Sequence, residues 1–200
     1  MSKMTDYAQF MKLRLASLVV FSAVISYFFA LKHLNVESTW IQLTGLIVGG
    51  FLVTGSSNGF NQIIERETDK LMTRTQNRPL PTGRMSVTEA WIVAVISGVA
   101  GIAILTIYCN YLSGILGAAA LLLYTVVYTP MKRYTSFAAF VGAFPGAIPP
   151  MLGYVAVTPG FGSINLAAGM LFAIQFMWQF PHFWAIAWVS HDDYKKAGFH

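Results

Sequence analysis

The sequence predicts an all-α fold, a polytopic bundle of transmembrane helices. Three observations predict it. The chain is 56% hydrophobic and only 10% charged, whereas soluble domains carry about 25% charged residues. So little charge cannot cover a water-facing surface. Six apolar segments approach the ~20 residues that span hydrocarbon, and short breakers separate them. Of the 13 lysines and arginines, all but Lys32 fall on one side of the alternating segments.

The first segment covers residues 14–32, after Lys3, Lys12 and Arg14. It is too long for a signal-peptide core and shows no convincing cleavage site, so it is expected to stay as a membrane helix. "KHLNVEST" separates it from the second segment, 40–63. "RPLPTGRMS" precedes the third, 88–108, and "CN" divides that from the fourth, 111–129. "TPMKRYTS" precedes the fifth, 137–157, and "TPGFGSIN" the sixth, 166–189. Pro145, Pro149 and Pro150 should bend the fifth helix, and Pro181 the sixth, because proline lacks the N–H that helical bonding uses. Gly142 and Gly146 form a GxxxG pair, and Gly98, Gly101, Gly114 and Gly117 line other helices, all suited to close backbone approach in lipid.

Positive charge fixes the expected orientation. Arg66, Lys70, Arg74, Arg78 and Arg84 follow the second segment, Lys132 and Arg133 the fourth, and Lys195 and Lys196 the sixth. By the positive-inside rule both ends of the chain face the cytoplasm. No Arg- and Ser-rich transit peptide precedes the first helix, which favours a multi-pass protein of the bacterial inner membrane. No linker or low-complexity tract divides the chain, so residues 1–200 read as one transmembrane domain. The net charge of +5 does not signal nucleic acid, because the bases sit in short loops and form no aromatic-laced basic face. Cys109 is the sole cysteine, so an internal disulfide and a CxxC metal site are excluded.

Chemistry concentrates in "NQIIERETDKLMTRTQNRPL", residues 61–80. If the second helix continues to Asp69, then Asn61, Glu65 and Asp69 lie one turn apart on one face. Ser57 and Asn58 extend that polar face inward, and Glu67 points elsewhere. Two carboxylates a turn apart repel each other, and charges beside hydrocarbon are costly unless compensated. A divalent cation resolves both problems. Oxygen donors without Cys or His suit Mg²⁺, which keeps several waters and bridges to phosphate. Arg74 and Arg78, just downstream, can grip phosphate oxygens.

Two further groups belong to the same end. On the sixth helix Gln175, Gln179 and His182 recur at helical spacing, flanked by Trp178, Phe183 and Trp184, and the stripe leads to Asp192 and Asp193. "YTVVYTPMKRYT" offers Lys132 and Arg133 to a diphosphate, with Tyr124 or Tyr128 facing inward.

In combination these stretches resemble the UbiA-type superfamily of intramembrane prenyltransferases. Its first signature, Asn-x3-Asp/Glu-x3-Asp, is matched by Asn61, Glu65 and Asp69. The stretches "NQIIERETDKLMTRTQNRPLPTGR", "YTPMKR", "GAFPGAIPPMLGY", "WQFPHFWAIAW" and "DDYKKAGF" are similar to the branch of that superfamily that modifies haem. The resemblance implies a Mg²⁺-dependent enzyme that transfers the farnesyl group of farnesyl diphosphate to a vinyl group of haem B within the lipid bilayer. It implies that Asn61, Glu65, Asp69 and Asp193 hold Mg²⁺–diphosphate, with Asp192 or Asp193 completing or orienting that set. Arg74, Arg78, Lys132 and Arg133 would clamp phosphate, and Trp178, Gln179 and His182 would line the haem side. A haem A synthase or another oxidase-assembly protein would be the natural partner. The family carries about nine membrane helices, so six segments imply a chain that stops short of the whole bundle.

Three rival readings fit the sequence less well. A transporter would carry its ionisable groups near the bilayer midplane, whereas the acids here sit at helix ends. A CDP-alcohol phosphotransferase begins its signature with Asp-Gly, a pair this chain lacks. A sibling prenyltransferase acting on an aromatic, quinone-precursor acceptor is the nearest alternative, and only the likeness of "WQFPHFW" to the haem branch argues against it.

Overall fold

A computed structural model describes residues 2–37, 39–190 and Asp193. Eight helices follow in order: α1 (Lys3–Phe10), α2 (Leu13–Leu34), α3 (Trp40–Asp69), α4 (Val87–Tyr108), α5 (Tyr111–Leu122), α6 (Thr129–Met131), α7 (Ala138–Val155) and α8 (Leu166–Val189). A π-helical segment, Leu123–Tyr128, joins α5 to α6. Among the described residues five helical stretches are long and apolar enough to cross a membrane: Leu13–Leu34, Trp40–Asp69, Val87–Tyr108, Tyr111–Met131 and Ala138–Val155. The sixth expected span, α8, has the length but not the hydropathy, because Gln175, Gln179, Pro181 and His182 dilute its apolar residues. The second helix continues beyond its apolar segment, 40–63, to end at Asp69, as the stripe of Asn61, Glu65 and Asp69 requires. Helix α1 has no signal in the hydropathy pattern, since its eight residues mix polar and apolar side chains.

Two kinds of contact hold the bundle. The first is backbone approach. A methyl group added at Gly153 of α7 would lie 2.6 Å from the carbonyl carbon of Ala23 on α2, so these helices touch main chain to main chain. The second is polar bonding between helices. Ser56 Oγ on α3 donates to the Ala94 carbonyl on α4 at 2.7 Å. In α7, Pro150 removes the N–H that would bond to the Gly146 carbonyl. Gln179 Nε2 of α8 donates to that oxygen at 3.2 Å instead, so a proline-freed acceptor is satisfied by a neighbouring helix.

The end of the bundle remote from Asp69 is closed by the same logic. The last carbonyls of a helix have no partner within it. Asn110 Nδ2 donates to the Val155 and Thr158 carbonyls at 2.8 and 3.1 Å, and Gln42 Nε2 to Ala156 at 2.9 Å. Tyr154, fully buried, bonds through its hydroxyl to His33 Nδ1 at 2.7 Å and accepts Asn165 Nδ2 at 2.9 Å. The apolar core of Tyr27, Leu46, Leu105, Leu152 and Val155 lies against this seal. The acids of α3, Glu65 and Asp69, lie at the opposite end.

Candidate active site

Helix α3 builds the floor of the site. Asn61, Glu65 and Asp69 are 3%, 3% and 0% exposed, so all three turn inward from one face. Asn61 Nδ2 donates to Glu65 Oε2 at 2.8 Å. Each carboxylate then meets a base from elsewhere in the chain. Lys132 Nζ lies 2.5 Å from Glu65 Oε1. Arg78 Nη1 donates to both oxygens of Asp69, at 2.9 and 2.7 Å. Burying two carboxylates a turn apart demands such compensation.

The loop and the π-segment deliver those bases. After Asp69 the chain coils through turns, and Thr75 Oγ1 pins it by donating to the Asp69 carbonyl at 2.9 Å. That coil swings Arg78 back over α3. Past Leu122 the π-turn changes the register of α5, and Thr129 Oγ1 closes it onto the Tyr124 carbonyl at 2.7 Å. Single π-turns inside α-helices recur at functional sites. Here the turn brings Lys132 to Glu65 with the Tyr128 ring 5.7 Å from the ammonium.

The sequence reading did not place Lys12 in this cluster. It sits in the break between α1 and α2, with its Nζ 3.5 Å from Asn61 Oδ1. Burial, together with the positive charges of Arg78 and Lys132, pulls its ammonium down from the usual lysine range to about 7, against the pull of Glu65 and Asp69. Nothing in "MKLR" distinguishes Lys12 from a base that merely marks topology. The usable signal is tertiary, 49 residues away at Asn61.

The remaining expected residues distribute unevenly. Asp193 accepts the backbone N–H groups of Thr73 and Arg74 at 3.2 and 3.1 Å, tying the end of α8 to the coil after α3. The Arg74 residue itself is exposed. Arg133 Nη2 reaches the Ile64 carbonyl and Thr68 Oγ1, at 3.3 and 3.4 Å, on the flank of α3 beside the stripe. Asp192 lies outside the described residues. Trp178 and His182 stack at 4.7 Å with an 18° interplanar angle. From His182 a run of rings leads through Phe183 to Tyr128, at 6.0 and 5.8 Å. The α8 aromatics therefore connect to the lysine end of the site. Gln179, 7% exposed, turns instead toward α7 and Gly146.

The donor set suits a hard cation. Among the described residues no three His, Cys, Asp or Glu side chains come together; the stripe offers two carboxylates and one amide. One or two carboxylates, waters and substrate phosphates are how Mg²⁺ is usually held. Three bases beside them match an anion of several charges.

A family model for UbiA prenyltransferases matches residues 18–200. The chain belongs to the UbiA prenyltransferase family. Its relatives include the protoheme IX farnesyltransferase of Flavobacterium psychrophilum, 50% identical over 195 residues, a match spanning 98% of this chain and 63% of that one. The protoheme IX farnesyltransferase of Christiangramia forsetii is 49% identical over 198 residues, spanning 99% and 63%. The chain thus spans a little under two thirds of the length of these relatives. A solved structure concerned with digeranylgeranylglyceryl phosphate synthase superposes with a TM-score of 0.81 at 19% identity, covering 100% of this chain and 67% of that one. A UbiA homolog from Archaeoglobus fulgidus, bound to DMAPP and Mg²⁺, superposes with a TM-score of 0.74 at 17% identity, covering 97% and 67%. The UbiA fold and a multi-pass membrane architecture follow.

Proposed function

We propose that the protein to which these residues belong is a Mg²⁺-dependent protohaem IX farnesyltransferase of the bacterial inner membrane. Its substrates are farnesyl diphosphate and haem B, and its products haem O and diphosphate. The single observation that carries the reading is the buried Asn61–Glu65–Asp69 face with Lys132 and Arg78 set upon it. The haem acceptor is supported by relatives 47–50% identical that carry that enzyme's name. These 200 residues form the larger part of one transmembrane domain, with the acidic stripe at the cytoplasmic face. A haem A synthase or oxidase-assembly protein is the partner to seek.

Asn61, Glu65 and Asp69 would hold Mg²⁺–diphosphate, with Asp192 and Asp193 as further ligands; the bound ion would neutralise charge on the departing group. Arg78 and Lys132 move from carboxylate to phosphate oxygens and stabilise the charge that grows as the C1–O bond breaks. Arg74 and Arg133 flank this clamp. Tyr128 and Phe183 wall off water beside the allylic carbon, whose cationic face suits aromatic rings. The vinyl terminus of the haem bonds to C1, its neighbouring carbon takes hydroxide from water, and a proton is released. The stacked Trp178–His182 pair is the flat surface against which the porphyrin lies.

The test uses the complete protein in membranes, with haem B, radiolabelled farnesyl diphosphate and Mg²⁺. Label should enter a haem fraction, and Asp69→Asn should remove it. Asparagine is preferred to alanine, because it keeps an acceptor for Arg78. Wild-type haem O formation by the asparagine variant would end this assignment. Label passing to an aromatic acid rather than haem would select the sibling activity.

A further inference from the structure

We propose that Lys12 is a diphosphate-binding residue of this site, delivered by the break between α1 and α2; the inference rests on the function proposed above. Three observations converge on it. Lys12 has φ 49° and ψ 54°, a left-handed conformation that lysine seldom adopts and that needs support from its surroundings. The support is visible. Gln62 Nε2 donates to the carbonyls of Gln9 and Phe10 at 3.2 and 2.7 Å, and Asn58 Nδ2 to that of Met11 at 3.1 Å. Phe10 is fully buried among Ile63, Leu80, Met85 and Ala94. Three consecutive carbonyls at the end of α1 are thus fastened to the helix that carries the acidic stripe. Position 12 follows them directly.

The fastening aims the ammonium. Lys12 Nζ approaches Asn61 Oδ1 at 3.5 Å, the oxygen left over when the same amide donates to Glu65. Arg78 and Lys132 each have a carboxylate within 3 Å. Lys12 forms no ion pair among the described residues. It is therefore a half-buried base beside the stripe with no carboxylate of its own. An anion arriving there would supply the partner that favours its charged form. Lys12 also lines a 560 Å³ groove at the α1–α2 elbow, with Thr5, Gln9, Arg14 and Leu18. It thus lies at the surface groove with its ammonium turned to Asn61. Both a substrate diphosphate and a lipid headgroup phosphate offer the chemistry; its aim at Asn61 selects the substrate.

The backbone conformation supplies clean variants. Asparagine and glycine tolerate positive φ better than lysine, so Lys12→Asn and Lys12→Gly remove the charge without straining the break, and Lys12→Arg keeps it. Binding of inorganic diphosphate with Mg²⁺ to the full-length protein is measured by calorimetry, at a temperature where every variant is folded. The KM values for farnesyl diphosphate and haem B are measured alongside. Expected is a loss of about tenfold or more in diphosphate affinity for the Asn and Gly variants. A matching rise in the farnesyl diphosphate KM, an unchanged haem KM and substantial recovery with arginine should accompany it. Wild-type affinity in the Asn and Gly variants, or an Arg variant as weak as they are, would overturn the proposal. So would variants that differ from wild type only in their response to anionic lipid in the vesicles. Asp69→Asn separates the two levels: if it loses Mg²⁺–diphosphate binding while Lys12→Asn keeps it, only the role of Lys12 falls. If Asp69→Asn binds normally, the site itself is wrongly placed.

Discussion

Gly153→Ala tests the packing that shapes the bundle. The added methyl carbon would stand 2.6 Å from the carbonyl carbon of Ala23 and 2.8 Å from its Cα. Carbon atoms prefer about 3.5–4.0 Å, so α2 and α7 must part by roughly 1 Å. The obstacle is main chain, which no rotamer change can move aside. Separation on that scale forfeits a quarter to a half of the dispersion attraction across the gap. Ala23, Tyr27, Ala30, Leu152 and Val155 share the core along this seam. The expected cost is about 3 kcal/mol, the upper part of the range for an overpacked core. Gly169 provides the control, since nothing approaches within 4 Å of a methyl group there; Gly169→Ala should be neutral or stabilise by about 0.5–1 kcal/mol. The assay is SDS-driven unfolding of the full-length protein in mixed micelles. Ala23→Gly should not rescue the Gly153 variant, because the Ala23 carbonyl stays in place. A loss below about 1 kcal/mol, or rescue by Ala23→Gly, would refute the proposed backbone contact.

Three further outcomes are expected. Lys132→Met leaves the buried Glu65 carboxylate without its ion-pair partner and should destabilise the protein by about 3 kcal/mol, with a large loss of turnover. Adding Glu65→Gln should restore stability in the same unfolding assay while turnover stays lost. Gln179→Leu strands the Gly146 carbonyl and should cost about 1–3 kcal/mol in unfolding. A neutral result would mean that water reaches that oxygen. Burial pushes the Cys109 thiol from its usual range up to about 12, which cuts its thiolate fraction at pH 7.5 about a thousandfold. Iodoacetamide should therefore leave the folded protein unlabelled and modify it readily in SDS; rapid labelling of the native form would contradict the burial.

Much of this was legible in one dimension. Hydropathy marked five of the spans, and the spacing of Asn61, Glu65 and Asp69 placed them on one face before any coordinates. Other features depend on contacts that local pattern does not encode. Gly142 and Gly146 were visible as a GxxxG, yet neither mediates the tightest contact. Gly142 faces the Tyr128 ring and Gly146 the Gln179 amide, while the solitary Gly153 meets a backbone. Gln179 reads as a lining residue until Pro150 is seen to free the carbonyl it bonds. Arg133, adjacent to Lys132 in the turn after α6, reaches the flank of α3 instead, a divergence that only the folded turn reveals. The left-handed break at Lys12 has no sequence signature, since Asn58 and Gln62, far along the chain, hold the carbonyls before it.

The fastening of α1 has a bearing on how the protein is made. Lys3 and Tyr7 bond to Glu89, Asp6 pairs with Arg84, and Phe10 nests in a cluster that includes Ala94. Every one of these anchors is translated long after α1 itself. These contacts therefore complete only once α4 is in place, after Asn58 and Gln62 of α3 have fastened the end of α1. Completion of the α1 packing is in this way coupled to insertion of α4, through Arg84, Glu89 and Ala94.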